Sequence, residues 1–177
     1  MTKKDIRVVN IVVSSSLGQD IPLEKMAATL SNTEYNPEQF PGLVIRIKEP
    51  KTSALIFNSG KIVCTGARDL DEVQRSIKQI IKSLEKINIK ITIEPKVTIQ
   101  NIVASGAVGM DLNLNVLAMK LQNTEYEPEQ FPGLVYKINV EPKGEKVFRR
   151  HSFCSLTERL SAPALSQSTR CIRLWMH

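Results

Sequence analysis

Four segments of the first 95 residues are short runs rich in β-branched and other apolar residues, a length and composition that predict strands. These runs are 6–13, 43–48, 54–57 and 61–65. Residues 58–60, Asn-Ser-Gly, predict a tight hairpin between the last two runs, and Phe-Pro-Gly at 40–42 predicts a turn before the second. A further strand is predicted over 88–94.

One longer segment has helical spacing. Between residues 69 and 88 apolar side chains recur every three or four positions, which predicts an amphipathic helix. Its opposite face is basic and is most simply a solvated surface, although regulators or DNA outside the main site could use it. That face carries Arg75, Lys78, Lys82 and Lys86. A shorter helix is predicted through Leu30, with Asp20 as its cap and Pro22 in its first turn.

The predicted strands are apolar on both faces, whereas a half-solvated strand alternates apolar with polar residues. Over residues 8–13 of the first strand, Val8 and Val12 flank Asn10 on one face, and the other face carries only apolar residues. Two helices per sheet cover about one face. The uncovered face would be a large apolar patch, which indicates a binding surface. Coverage by a partner subunit or by another part of the chain is the alternative.

The chain contains a tandem duplication. Residues 32–44 and 123–135 are identical at 12 of 13 positions with an offset of 91. The same offset aligns Asn10-Ile-Val with Asn101-Ile-Val. We therefore define a first repeat, 1–95, a second repeat with an incomplete match, 96–142, and a C-terminal tail, 143–177. Two similar halves about a pseudo-twofold axis are expected.

These blocks, together with Leu55-Ile-Phe-Asn-Ser-Gly-Lys-Ile-Val-Cys-Thr-Gly-Ala67, resemble the TATA-box-binding protein family, and the archaeal members most of all. The resemblance covers about residues 6–142. It implies an α+β fold, a curved antiparallel sheet shaped like a saddle, with helices on the convex side. It also implies a non-enzymatic general transcription factor, whose concave side binds and bends the TATA box in the DNA minor groove.

The resemblance assigns roles to individual residues. Two asparagines donate to bases with a threonine beside the first, aromatic residues wedge into a base step, other apolar residues touch the groove, and cations touch phosphates. The same residues in isolation would equally suit core packing, strand-edge hydrogen bonds or solvated surface. The asparagines are Asn10 and Asn101, with Thr65 beside Asn10, and the aromatic wedge residues are Phe40, Phe57 and Phe131. The apolar residues that touch the groove are Val12, Leu55, Val63 and Val103, and the cations that touch phosphates are Arg46, Lys61, Arg68 and Lys137.

The acidic loop, residues 125–129, resembles the place where transcription factor B docks in this family; a solvated charged turn is the alternative. The residues implied are Glu125, Tyr126, Glu127 and Glu129. RNA polymerase would be reached indirectly. The location implied is the cytoplasm, at the nucleoid, for an archaeal protein and the nucleus for a eukaryotic one.

Composition narrows the function further. The sequence contains no membrane-length apolar run, no signal peptide pattern and no catalytic or P-loop motif, so no cofactor, metal or enzyme activity is expected. Three scattered cysteines predict neither a disulfide framework nor a zinc site. Two other functions stay open: an enzyme accessory domain, which would need a catalytic domain, and a defective or repurposed paralogue that binds only protein partners.

The tail differs from the rest of the chain. The net charge is +6 overall, but residues 1–142 carry only +1 and residues 143–177 carry +5. The expected second copy of residues 52–67 is missing there, as is a helical apolar stripe. The hypotheses are a reading-frame shift near residue 143, a rearrangement of the gene end, or a genuinely divergent C-terminus. A genuine tail would leave the second half without three strands and its long helix, so weak folding is expected.

Overall fold

A computed structural model describes residues 6–106, 110, 112–140, 150–157 and 172–176. The chain divides into two compact units, one from Asn10 to Asn101 and one that contains Ile102 onward together with the start of the chain. Most of the first repeat therefore forms one unit, and most of the second repeat belongs to the other.

The first repeat is an antiparallel sheet with two helices. Its elements are β1 (Arg7–Ser16), α1 (Leu23–Thr29), β2 (Thr33–Glu34), β3 (Gly42–Ile47), β4 (Thr52–Phe57), β5 (Lys61–Ala67) and α2 (Leu70–Glu85). The strand order is β2-β3-β4-β5-β1. The four strands predicted over 6–13, 43–48, 54–57 and 61–65, the long helix and the hairpin at 58–60 are confirmed. Gly60 closes that hairpin with φ +74° and a backbone hydrogen bond of 2.9 Å to Phe57.

The strands of this sheet alternate between a buried and a half-buried face. Leu43, Ile56 and Ile62 stand opposite one another and are almost completely buried. Helices cover this face: α2 packs on β5, α1 packs on β3, and a 2.8 Å hydrogen bond joins the buried hydroxyls of Thr52 and Ser76. The other face of this repeat, which we call the open face, holds the half-buried side chains. The prediction of one covered and one apolar open face is confirmed here.

Helix α2 begins where the sequence predicted. The Asp69 carboxylate caps it by accepting the backbone N–H of Glu72 at 2.7 Å, and Glu72 accepts the backbone N–H of Arg68 at 2.8 Å. Its buried stripe includes Val73, Ile80 and Leu84. The basic side chains of the opposite face are exposed, as expected: Arg75, Lys78, Lys82 and Lys86.

Three local predictions were wrong. Helix α1 begins at Leu23 without a side-chain cap, so Asp20 does not cap it; the preceding chain is instead held by a 2.7 Å bond from Ile21 N–H to the Asn58 carbonyl. Residues 88–94 form no strand; the Lys90 carbonyl accepts a 3.2 Å hydrogen bond from the Gln19 side chain. The turn lies at 37–39 rather than 40–42.

The second repeat has the same strand order as the first. Its elements are β6 (Thr98–Ser105), α3 (Leu114–Lys120), β7 (Thr124–Glu125), β8 (Gly133–Val140), β9 (Arg150–Thr157) and β10 (Ile172–Met176). They run β7-β8-β9-β10-β6 across the sheet, with every described pairing antiparallel. The covering helix α3 packs on β8 and is capped by Asn113, which accepts the Val116 N–H at 3.1 Å.

The tail contributes two strands, so the expectation that three strands would be missing was wrong. In register, Leu134 stands opposite Leu156 as Leu43 stands opposite Ile56, and β10 takes the place of β5. The mismatch with the repeat arises because β9 lies nine residues later than the offset of 91 predicts. Among the described residues of the tail, 150–157 and 172–176, there is no helix.

Candidate DNA-binding face

The open face of the first repeat is a continuous apolar row bordered by polar residues. Val44, Leu55 and Val63 stand opposite one another on β3, β4 and β5, and the row reaches Ser14 on β1. All four side chains are half-buried. Val12 shares their face. The predicted contact residues Val12, Leu55 and Val63 are thus brought together on one surface.

Asn10 is held in one orientation. Its side-chain oxygen accepts the backbone N–H of Gly66 at 2.7 Å and the Thr65 hydroxyl at 3.3 Å. Because a backbone N–H can only donate, the atom facing it is the carbonyl oxygen of the amide. The Asn10 NH₂ group therefore keeps its two donors for an acceptor outside the described chain. This confirms that Thr65 lies beside Asn10, although it assists by orienting the asparagine.

Phe40 and Phe57 form an aromatic pair beside the apolar row. Their ring centroids are 5.9 Å apart at an interplanar angle of 62°, an edge-to-face contact. Phe40 is 41% exposed. Gly42 makes the pair possible, since a Cβ there would lie 2.6 Å from the Phe40 ring and 3.2 Å from the Phe57 ring. The two predicted wedge residues therefore form one unit at the end of the sheet.

The predicted phosphate contacts of the first repeat fall into two groups. Lys61 and Arg68 are exposed, at the start of β5 and just after it. Arg46 forms an ion pair with Glu34 on the neighbouring strand, in which one guanidinium nitrogen lies 3.0 Å from both carboxylate oxygens. Both side chains of that pair are about two-thirds exposed, at 65% and 66%.

In the second repeat, Asn101 and Val103 lie on β6 and are nearly buried, at 9% and 8% exposure. They are less accessible than Asn10 and Val12, which are half-buried. Phe131 is 44% exposed and lines a shallow pocket of about 250 Å³ with Val135 and the acidic loop. Its backbone N–H bonds the Glu127 carbonyl at 2.9 Å, just as Phe40 bonds Asn36.

The acidic loop contains two kinds of carboxylate. Glu125 forms an ion pair with Lys137, so both of these predicted site residues have a partner within the protein. Glu127 and Glu129 are exposed, and Tyr126, between Glu125 and Glu127, is half-buried. The loop can thus offer a projecting acidic surface from Glu127 and Glu129.

Three residues that sequence reasoning missed support this face: Gly42, Gly66 and Glu34. Gly66 has φ +98°, and a Cβ there would lie 3.1 Å from the Lys51 carbonyl, so glycine is needed to present its N–H to Asn10. The glycines stood inside the quoted blocks, but their role depends on neighbours distant in sequence. Glu34 could have been found from the sequence, because it recurs as Glu125 at the offset of 91.

The described residues do not form a metal site, a membrane-spanning helix or a nucleophilic site. The described residues contain no cluster of metal-ligating side chains and no helix long and apolar enough to cross a membrane. Cys64 is buried, and this burial raises the pKa of its thiol above the ordinary value. A neutral, enclosed thiol is a core side chain rather than a nucleophile.

An apolar sheet face with the oriented donors of Asn10, an aromatic pair and flanking cations is suited to binding nucleic acid. The family model for transcription factor TFIID (or TATA-binding protein, TBP) matches residues 5–87 and 96–149. The chain belongs to this family of DNA-binding transcription factors, which are not enzymes.

Individual relatives agree. The chain is 52% identical to the TATA-box-binding protein of Archaeoglobus fulgidus over 136 residues, 76% of this chain and 74% of the relative. It is also 52% identical to that of Methanothermobacter thermautotrophicus over 143 residues, 81% and 78% of the two chains. The solved structure of Methanococcus jannaschii TBP matches with a TM-score of 0.77 and 40% identity, covering 96% of this chain and 86% of that one. The α+β fold class is confirmed.

Proposed function

We propose that the chain is a general transcription factor that binds the TATA box through the minor groove, bends the DNA and nucleates the preinitiation complex. The observation that carries this proposal is the open face, an apolar row with the oriented donors of Asn10 at one side. A promoter-binding protein acts at the chromosome, which in an archaeal cell is the nucleoid in the cytoplasm.

The chemistry of this face suits A·T pairs. In the minor groove an A·T pair presents only acceptors, whereas a G·C pair adds the guanine amino donor. The Asn10 NH₂ group donates to such acceptors because Gly66 holds the other end of its amide. A guanine amino group against Leu55 or Val63 would be buried without a partner, which costs about 1–3 kcal/mol. Selectivity then follows from exclusion of G·C.

Bending is assigned to the aromatic residues. Apolar side chains that insert between base steps unstack them and kink the duplex. Phe40 and Phe57 are paired and partly exposed at one end of the first sheet, and Phe131 is partly exposed at the equivalent position of the second repeat. Lys61 and Arg68, with Arg46 and Lys137, contact the phosphates. Asn101 and Val103 serve the second repeat as Asn10 and Val12 serve the first.

The acidic loop is assigned to transcription factor B, which then brings RNA polymerase to the promoter. The exposed carboxylates of Glu127 and Glu129 support this role, and Glu125 and Tyr126 precede them in the loop. An E127Q/E129Q variant should keep its affinity for DNA and lose the ternary complex with transcription factor B in a gel shift. Glu38→Gln, at the first-repeat equivalent of Glu129, is the control and should keep both.

The decisive experiment is a gel-shift titration of the full chain on two duplexes that differ only in the box, one TATA-containing and one with G·C substitutions. We expect the TATA duplex to bind more tightly by roughly two orders of magnitude, the sum of one or two mismatch penalties of about 1–3 kcal/mol each. Equal affinity for both duplexes would remove the proposal, and binding to neither would favour a paralogue that acts only through protein partners.

A further inference from the structure

The same ion pair occurs in both repeats. Glu34 on β2 contacts Arg46 on β3, and Glu125 on β7 contacts Lys137 on β8, at the offset of 91. The backbone brings the partners together identically: the Arg46 and Lys137 N–H groups each bond the carbonyl of the equivalent asparagine, Asn32 and Asn123, at 3.0 Å. The cation changed from Arg to Lys between the copies while the pair was kept.

Both cations of these pairs are assigned to phosphate contacts. An exposed ion pair is worth only about 0–1 kcal/mol to folding, so stability is a weak reason for its recurrence. The ion pair affects DNA binding in another way, because the carboxylate changes the net charge that the cation offers to DNA. A cation that already has a carboxylate beside it contributes little net positive charge, and it must exchange that carboxylate for a phosphate when DNA binds.

We propose that Glu34 and Glu125 are counter-charges that hold Arg46 and Lys137 and restrain the sequence-independent, salt-dependent part of DNA binding. The proposal rests on the phosphate contacts proposed above for these two cations. The near-neutral charge of residues 1–142, only +1, agrees with a DNA binder whose cations are locally compensated. Affinity then depends more on the open face and less on counterion release.

Salt dependence is the readout that separates this role from a structural one. Each phosphate neutralised by a net positive charge releases counterions and adds about 0.9 to the slope of log K against log salt. With the carboxylate present, the pair has no net charge and that contribution is suppressed. Loss of the carboxylate should restore it.

The test compares E34Q/E125Q with E85Q/E94Q, which removes two exposed carboxylates that lie outside the proposed DNA and partner contacts. Binding of the full chain to the TATA duplex and the G·C duplex is measured from 50 to about 400 mM salt. The E34Q/E125Q slope should steepen by up to about 0.9 for each pair, and its low-salt affinity should rise by up to about fivefold for each pair. The E85Q/E94Q protein should match the unmodified chain.

Two further outcomes distinguish the hypotheses. An unchanged slope in E34Q/E125Q, with unchanged thermal unfolding, overturns the counter-charge role. R46Q/K137Q measures the phosphate contacts themselves: if it leaves both affinity and slope unchanged, the phosphate assignment fails, and the counter-charge proposal fails with it. If R46Q/K137Q weakens binding while E34Q/E125Q is unaltered, only the inference about the carboxylates fails.

Discussion

The two repeats agree closely in one region and differ in another. In the segment from α1 to β3 and its copy from α3 to β8, the turn bonds, the strand register and the ion pair recur at the offset of 91. In β9 and β10 the ladder recurs while the residues change. Thr157 stands opposite Gly133 where Phe57 stands opposite Gly42, and Trp175 takes the register position of Thr65.

This difference shows which parts of a repeat depend on side chains. Ladder hydrogen bonds join main-chain groups, so a strand can take the place of another with little sequence in common. A binding face depends on side chains, and Arg173 stands at the register position that Val63 occupies in the first repeat. The first repeat therefore carries the complete set of predicted contacts.

The largest expected effect concerns the aromatic residues. Phe40→Ala should weaken TATA binding by about 10- to 100-fold and reduce bending, because a buried phenyl group contributes about 1.5–3 kcal/mol. Phe131→Ala should also reduce bending, but less, since Thr157 rather than a second Phe stands at that register position. Fluorescence transfer between the DNA ends measures the bend. Lys82→Ala on the basic face of α2 is the control and should change neither TATA affinity nor bending. Equal losses of bending in Phe40→Ala and Phe131→Ala would contradict the predicted difference between the two repeats.

A second prediction concerns Asn10. Asn10→Asp keeps the acceptor for the Gly66 N–H but replaces two donors with an anion that faces base acceptors. TATA affinity should fall by about 10- to 100-fold, from a lost contact of about 1–3 kcal/mol. Asn115→Asp adds the same charge at an exposed position of α3 and should bind normally. Fluorescence anisotropy measures both, and wild-type affinity in Asn10→Asp would exclude the donor role.

Proline substitution tests whether the tail strand is paired. Leu174 lies on β10 between β6 and β9, so Leu174→Pro removes a ladder bond and leaves a group unsatisfied, at about 1–3 kcal/mol. Calorimetry should show the second repeat unfolding at lower temperature while the first is unchanged. Cys64→Pro, at the equivalent register position of β5, should have the reverse effect. No change with Leu174→Pro would show that the tail does not join the sheet, and an intact mass that differs from that of residues 1–177 would support the reading-frame shift.

The smallest effect is a pH dependence specific to the first repeat. Burial raises the pKa of Cys64 above 9.0, so the neutral thiol stabilises the fold fully below pH 9. The contribution is lost as the pH rises from 9 through the raised pKa, because the unfolded thiol ionises first. Urea unfolding at pH 7, 9 and 10 should show a decline of up to about 1.4 kcal/mol per pH unit that is absent in Cys64→Ala. Identical declines in the two proteins would contradict it.

Much of the fold could be predicted because its signals are local. The spacing of apolar residues in α2 and the β-branched runs of β3 to β5 depend only on neighbours in the chain. The strand predicted over residues 88–94 was wrong because alternation of apolar residues is also a local signal, and it cannot show whether a segment has a partner strand. The tail strands were missed because β9 and β10 lie 9 and 19 residues later than the offset of 91 predicts, although the register itself is retained.

The sequence by itself determined the duplication, the helical and extended segments, the excess of apolar strand faces and the family. Only the tertiary structure decided how Asn10 points, since the Gly66 N–H that orients it lies 56 residues away. It also decided that Arg46 and Lys137 share their charge with Glu34 and Glu125, and that Thr157 rather than a phenylalanine completes the second repeat. The physical reason is that propensity is read along the chain, whereas hydrogen-bond direction, ion pairing and register arise between segments that only the folded sheet brings together.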